Sequence, residues 1–244
     1  MSEPLPRKLS VLMPVYNEAS TVEVIARRVL DAPCGLEVEL VCVDDGSTDG
    51  TGARLRELAE GDGRVRVLSH ERNRGKGAGV RTAIGAMTGD VAVIQDADLE
   101  YDPSDYARLL EPILAGEADA VYGSRFLSSG RRQVRRFWHA QANRLLTFCC
   151  NAVSDLSLTD METCYKMVRA DVLRGLTLTA DRFDIEVELT MRLSRWRGPD
   201  GRAARMYEVP ISYLGRTRAE GKKIGARDGV EALWAIARFG LLGS

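Results

Sequence analysis

The chain has 244 residues, 45% hydrophobic and 28% charged, with a formal net charge of −1 at pH 7. That is ample for the core of one large α/β domain and excludes a global electrostatic pull toward nucleic acid or anionic membrane. The five cysteines (34, 42, 149, 150 and 164) lack C-x-x-C spacing and neighbouring histidines, arguing against a disulfide framework or zinc site and for a reducing cytoplasm.

Taken in order, Leu9–Tyr16 reads as a buried strand stopped by Pro14, with Asn17 and Ser20 as candidate caps for a helix over 21–31. Val22, Ile25, Ala26 and Val29 recur there at helical spacing. Val38–Val43 is a second strand, ending in Asp44-Asp45-Gly46-Ser47-Thr48-Asp49-Gly50, a cluster suited to capping a helix over 51–60. Val65–Leu68 is a third strand, a helix follows from about Arg74 to Met87, and Val91–Ile94 is a fourth strand. This alternation predicts a mostly parallel sheet with helices on both faces, a Rossmann-like α/β class. A helix over 105–116 and a strand over 118–123 follow; 131–154 reads as helical, 159–169 as a loop entering a short apolar segment, and 183–196 as helical. Tyr207–Tyr213 reads as an edge strand because of Pro210, and the tail 228–242 as an amphipathic helix. With no repeat, low-complexity tract or linker, one domain is expected: a half over 9–103, a second over 104–227 and a C-terminal helix over 228–244.

The stretch after the fourth strand is Gln95-Asp96-Ala97-Asp98-Leu99-Glu100-Tyr101-Asp102-Pro103. In an extended chain, alternate residues point to one side, so Asp96, Asp98 and Glu100 could converge on one cation. All-oxygen ligands suit Mg²⁺ or Mn²⁺, and the carboxyl ends of parallel strands are where open α/β sheets bind ligands. An acidic, solvated turn is the alternative. Gly75-Lys76-Gly77-Ala78-Gly79 fits neither a phosphate loop nor a dinucleotide fingerprint in spacing. Its glycines are expected to allow close packing, with Lys76 free to reach a phosphate.

Seven segments in this order resemble one family: VLMPVYNE (11–18), VDDGSTDGT (43–51), NRGKGAGVR (73–81), QDADLEYDP (95–103), GSRF (123–126), LTDMETCYK (158–166) and GRTRAEGKKI (215–224). Together they resemble the family 2 glycosyltransferases with the GT-A fold, and within them the dolichol- or polyprenol-phosphate sugar transferases. The resemblance implies a nucleotide-sugar donor, with Asp44 near the base, Pro14, Tyr16 and Glu18 around the nucleoside, and Lys76 and Asp96 also on the donor side. It implies Mg²⁺ or Mn²⁺ at Asp98, supported by Asp96 and Glu100, and inversion at the anomeric carbon. Arg125, Arg216, Arg218 and Lys222 resemble the binders of an acceptor phosphate. Asp45 and Asp49 are as readily turn formers as ligands. Asp160 and Glu162 resemble the region where relatives with hydroxyl acceptors carry a base; with a phosphate acceptor they would organise the acceptor loop or the metal. Glu186 and Glu188 lie in a segment whose family pattern often has proline where this chain has Val187, and they are expected merely to orient arginines.

The expected activity is therefore hexosyl transfer from a GDP-mannose or UDP-glucose type donor to a polyprenyl or dolichyl phosphate. The alternative is the same donor chemistry on a soluble hydroxyl. No run of about 18 apolar residues is present, so no membrane span is expected. Arg131–His139 couples four arginines to two aromatics, a pattern that suits peripheral docking at the cytoplasmic membrane face, as does the tail helix; a packed helix with a basic face is the alternative.

Overall fold

The computed structural model describes residues 5–127, 137–215 and 226–242. Seven strands form one sheet in the order β3-β2-β1-β4-β6-β5-β7. β1 (Lys8–Val15), β2 (Glu37–Asp44), β3 (Val65–Ser69) and β4 (Val91–Ile94) are mutually parallel, with Val15 opposite Asp44, Asp44 opposite Ser69 and Leu12 opposite Ile94. The apolar runs of β1, β2 and β4 are buried, as expected of strands covered on both faces, whereas β3 buries only Val65 fully. α1 (Val22–Leu30), α2 (Thr51–Gly61) and α3 (Lys76–Ala86) connect them. The predicted stripe Val22, Ile25, Ala26 and Val29 is the buried face of α1.

Two local expectations are corrected. Pro14 does not stop β1, which continues to Val15 with Pro14 in register opposite Val43. Asn17 and Ser20 do not cap α1, whose N-cap is Thr21 without a side-chain cap bond. Asn17 instead adopts a positive φ of 50° and bridges two strand ends: its N–H donates to Ser47 Oγ at 3.0 Å, and its Oδ1 accepts from Thr48 N–H at 2.8 Å. A short polar side chain tolerates that left-handed conformation and supplies such bonds.

Beyond β4, a 3₁₀ turn over Pro103–Asp105 leads into α4 (Tyr106–Leu114), β5 (Ala120–Ser124) and α5 (Phe137–Ser154). The apolar segment after 159–165 is an antiparallel strand, β6 (Lys166–Arg169), inserted between β4 and β5. At four residues, with Lys166 inside, it shows no alternation to read from sequence. Because β6 runs against its neighbours, the loop before it meets the carboxyl ends of the parallel strands. Helices α6 (Ala170–Arg174) and α7 (Ile185–Arg195) follow, and then β7 (Met206–Pro210), parallel to β5 at the sheet edge as Pro210 implies. The tail is α8 (Ala226–Ala235) continued by a π-helical turn over Ile236–Leu241. Ile236 and Phe239 are buried, and Arg195 Nη1 donates to the Phe239 carbonyl at 2.6 Å.

Candidate active site

The ends of β1, β2 and β4 and the start of β6 share one sheet edge, and most of the expected site residues lie along it. Asp44 closes β2 and is buried. Its Oδ1 accepts from Ser47 N–H at 3.0 Å, and it lines an open cleft of about 300 Å³ with Ser47, Thr48, Gly50, Gly52, Ala53, Arg56 and Ser69. A Cβ on Gly52 would come within 2.5 Å of Asp44 Oδ2, so glycine there keeps the carboxylate's place open. Asp45 accepts from His70 Nδ1 (2.6 Å), Arg74 N–H (2.9 Å) and Gly75 N–H (2.7 Å), which fixes the entry to α3. Asp49 accepts from Ala19 N–H (3.1 Å) and Thr51 N–H (3.0 Å). Both therefore hold loops. Glu18 Oε2 accepts from Thr21 Oγ1 at 2.9 Å, Tyr16 is exposed at the end of β1, and Pro14 lies against Gly79, where a Cβ would be 2.9 Å from the proline ring.

The acidic stretch bends over 97–100 rather than running extended. Alternate residues therefore do not share one side, and no group of three Asp, Glu, His or Cys side chains among the described residues is placed to hold a metal ion. This corrects the expected convergence of Asp96, Asp98 and Glu100. Asp98 Oδ1 accepts from Glu100 N–H at 3.0 Å, a local turn bond. Glu100 Oε2 accepts from Tyr213 Oη at 2.7 Å, its carbonyl accepts from Leu214 N–H at 2.8 Å, and Tyr101 bridges to Tyr213. These bonds fasten the acidic stretch to the segment leading into 216–222. Arg216, Arg218 and Lys222 lie outside the described residues, as do the arginines at 131, 132, 135 and 136.

Asp96 pairs with Lys76, Oδ1 to Nζ at 2.6 Å. Lys76 Nζ is also 2.9 Å from Glu186 Oε1, and Glu186 Oε2 pairs with Lys166 Nζ. Burial opposes charge on Lys76 and Asp96, yet their mutual attraction outweighs it: the lysine is held well above its usual range and the carboxyl below its own. Lys76 is thus committed to two carboxylates, which corrects the expectation of a side chain free for phosphate. Close approach at the mouth of α3 depends on glycine. Gly75 has φ +103°, and a Cβ on Gly77 would collide with the Ala180 carbonyl oxygen.

Arg125, just after β5, forms a fork with Asp160: Nε to Oδ2 at 2.7 Å and Nη2 to Oδ1 at 2.8 Å, with Arg125 N–H also on Oδ2 at 2.9 Å. Asp160 is fully buried, and the guanidinium lies 5.2 Å from the Tyr213 ring centroid. Glu208 on β7 braces the same loop by accepting from Thr159 N–H and Asp160 N–H. Glu162 is different. Its Oε1 is buried without a hydrogen-bond partner, and burial pushes its carboxyl from 4.5 up to about 7, despite Lys166 nearby.

The sequence profile described as glycosyl transferase family 2 matches residues 10–177. The chain belongs to glycosyl transferase family 2. It is 33% identical over 244 residues to an undecaprenyl-phosphate mannosyltransferase of Micrococcus luteus, covering 96% of this chain and 94% of the relative. It is 31% identical to a polyprenol monophosphomannose synthase of Mycolicibacterium smegmatis, covering 96% and 87%. A dolichol-phosphate mannosyltransferase of Pyrococcus furiosus is 29% identical, and the chain spans 60% of that relative's length. The fold is shared with the glucosyl-3-phosphoglycerate synthase of Mycobacterium tuberculosis, crystallised with Mn²⁺, UDP and glucosyl-3-phosphoglycerate: TM-score 0.67 at 22% identity, covering 97% of this chain and 79% of that one. The sheet of this glycosyltransferase is accordingly of the GT-A class.

Several side chains of the glycosyltransferase escaped sequence reasoning. Lys166 is fully buried and Glu208 braces the Asp160 loop, while Gln95 Oε1 accepts from Tyr106 Oη (2.6 Å) and Tyr165 Oη (2.8 Å) beneath the acidic stretch. The signal for Lys166 was a lysine inside an apolar run, which a buried partner has to match. Glu188 accepts from Thr179 N–H and Ala180 N–H and so secures the loop that meets Gly75 and Gly77, a supporting role. No helix among the described residues is long and apolar enough to cross a membrane.

Proposed function

We propose that this family 2 enzyme is an inverting, metal-dependent hexosyltransferase acting from a nucleotide sugar of the GDP-mannose or UDP-glucose type onto a polyprenyl phosphate. The observation that carries the reading is similarity over nearly the full length to two enzymes named for undecaprenyl-phosphate and polyprenol mannosylation. In it, residues 9–103 form the donor half, with Asp44 and its cleft receiving the nucleoside beside Pro14, Tyr16 and Glu18. A carboxylate at a strand end accepts from ribose hydroxyls or base N–H groups.

Mg²⁺ is commonly held by one or two carboxylates plus substrate phosphate oxygens. Asp98 and Asp96 offer two such donors at the ligand edge, so the residues present fit an ion whose shell the donor diphosphate completes; Glu100, bonded to Tyr213, supports the turn. When bound, Mg²⁺ or Mn²⁺ supplies Lewis-acid stabilisation of the charge growing on the diphosphate. The new bond joins an acceptor phosphate oxygen to the anomeric carbon as the bond from that carbon to the diphosphate oxygen breaks on the opposite face, which inverts the centre. A phosphate acceptor is already anionic and needs cationic positioning rather than a strong base. Arg125, oriented by Asp160, would supply it together with Arg216, Arg218 and Lys222. Asp160 has both oxygens on Arg125, a commitment that favours the phosphate acceptor over a hydroxyl needing Asp160 as base.

Peripheral contact with an anionic membrane belongs to the same reading. Phe137, Trp138, Leu145 and Phe148 on α5 and Val230, Leu233 and Trp234 on α8 are exposed, Trp138 by 80% and Trp234 by 62%. The adjoining 131–136 sequence carries four arginines. Aromatic side chains with basic neighbours suit the headgroup boundary. Mass spectrometry of a short polyprenyl phosphate incubated with the protein, a divalent ion and each of a panel of sugar nucleotides tests the activity. A hexosyl phosphodiester is expected, and failure with every lipid phosphate would overturn the acceptor.

A further inference from the structure

Glu186, in the first turn of α7, faces lysines from different elements with its two carboxylate oxygens, Oε2 through a hydrogen bond and Oε1 through an ion-pair contact without hydrogen-bond alignment. Oε1 faces Lys76 Nζ at 2.9 Å, where α3 begins, and Oε2 faces Lys166 Nζ, where β6 begins. Lys76 continues to Asp96 at 2.6 Å, and Lys166 donates also to the Thr163 carbonyl. The side chain of Glu186 is 5% exposed and that of Lys166 is not exposed. These are therefore desolvated ions, whose geometry is held because any unpaired member would be costly.

A lysine has a long flexible stem, and one ion pair does not by itself fix where its ammonium sits. Lys76 is fixed from both sides. Asp96 meets it at the ligand edge and Glu186 from within, while the Phe183 ring centroid lies 6.0 Å from Nζ. The Asp96 carboxylate in turn takes its direction from an ammonium whose position α7 sets. We propose that Glu186 is a positioning residue of the donor site: by anchoring Lys76 it directs Asp96, and by anchoring Lys166 it ties that arrangement to the loop carrying Asp160. The inference rests on Asp96 being a donor-side residue, as in the function proposed above. Glu186 itself touches no substrate in this account.

The test is Glu186→Gln, which keeps shape and hydrogen-bonding capacity but removes the charge. Its readouts are calorimetric binding of UDP and of GDP with Mn²⁺, the split between donor KM and kcat in the transfer assay, and a melting curve as a control on folding. Loss of a supporting residue of this kind typically costs 10–100-fold in ion affinity or activity. The expected result is a fall of about tenfold or more in Mn²⁺-dependent nucleotide affinity and in kcat/KM for the donor, in a protein that still melts cooperatively. Adding Lys76→Met should cost less than the two single losses multiplied together, since both changes break the Lys76–Glu186 contact. Wild-type nucleotide affinity and kcat/KM in Glu186→Gln, or losses that multiply in the double variant, would overturn the proposal. Where Glu186→Gln does not fold, the charge-balanced Glu186→Gln/Lys166→Met carries the test: donor-side loss supports the proposal and wild-type donor parameters refute it. A wild-type protein that binds Mn²⁺ and nucleotide but makes no lipid product contradicts the acceptor and not Glu186. One that binds neither overturns both.

Discussion

Arg125 and Asp160 meet through two parallel hydrogen bonds, 2.7 and 2.8 Å long, with the carboxylate fully buried. Arg125 is therefore one half of an ion pair, aimed by a loop that Glu208 braces from β7. Truncating one partner of a buried pair strands the other's charge. Asp160→Asn is expected to destabilise the fold by about 3–5 kcal/mol in chemical denaturation and to lower kcat/KM for the acceptor more than for the donor.

Glu162 gives the fold a pH dependence of defined sign. Its carboxyl is raised from 4.5 to about 7 by burial. Between those values the folded state holds a proton that the unfolded state has lost. The stability Glu162 allows is therefore fully present below 4.5 and declines as pH rises through about 7, with a slope of at most about 1.4 kcal/mol per pH unit. The groups facing Glu162 are Lys166 on β6, Glu186 on α7, Arg125 after β5 and Asp160 on its own loop. Urea titrations at pH 5 and 7.5 should show this decline in the wild type and a smaller one in Glu162→Gln. Equal slopes in the two proteins would contradict it.

Asp98 sits in a turn where its Oδ1 accepts from Glu100 N–H, and exchanging a carboxylate for an amide changes its charge and little of its volume, so Asp98→Asn should fold as the wild type does. Turnover is expected to fall by roughly 100-fold or more, the scale seen when one preorganised stabiliser of transition-state charge is lost. A chelator should abolish wild-type activity, and Mg²⁺ or Mn²⁺ should restore it. Activity that survives the chelator would refute the metal role.

The exposed aromatic face on α5 and α8 predicts binding to vesicles containing phosphatidylglycerol. Replacing Trp138 and Trp234 by alanine should lower the sedimented fraction severalfold without changing Mn²⁺-dependent nucleotide affinity, because neither side chain lies among the residues proposed to bind the donor. High salt should weaken what remains.

The parallel half of the sheet was legible from sequence because four short apolar runs alternate with helices, of which α1 has an apolar stripe at strict helical spacing. β6 was not, since four residues with a lysine inside carry no periodic signal and its place between β4 and β5 is a long-range fact. The acidic stretch does follow the carboxyl end of a parallel strand, but alternation predicts convergence only in an extended chain, and the chain bends from Ala97. Partnership was the other hidden layer. Lys76, Asp96, Lys166 and Glu186 are each at least 20 residues from one another in the sequence, and only the fold brings them to one line of charge. Charged residues in apolar surroundings signal that partners exist without saying which they are.

The most direct measurement offers the enzyme one nucleotide sugar with Mn²⁺ and two acceptors in the same tube, a short polyprenyl phosphate and a soluble hydroxyl acceptor, and follows both products by mass spectrometry. The account predicts a hexosyl polyprenyl phosphate of inverted anomeric configuration as the dominant product, formed only with the divalent ion present. Glycosylation of the hydroxyl with the lipid phosphate left untouched would contradict it.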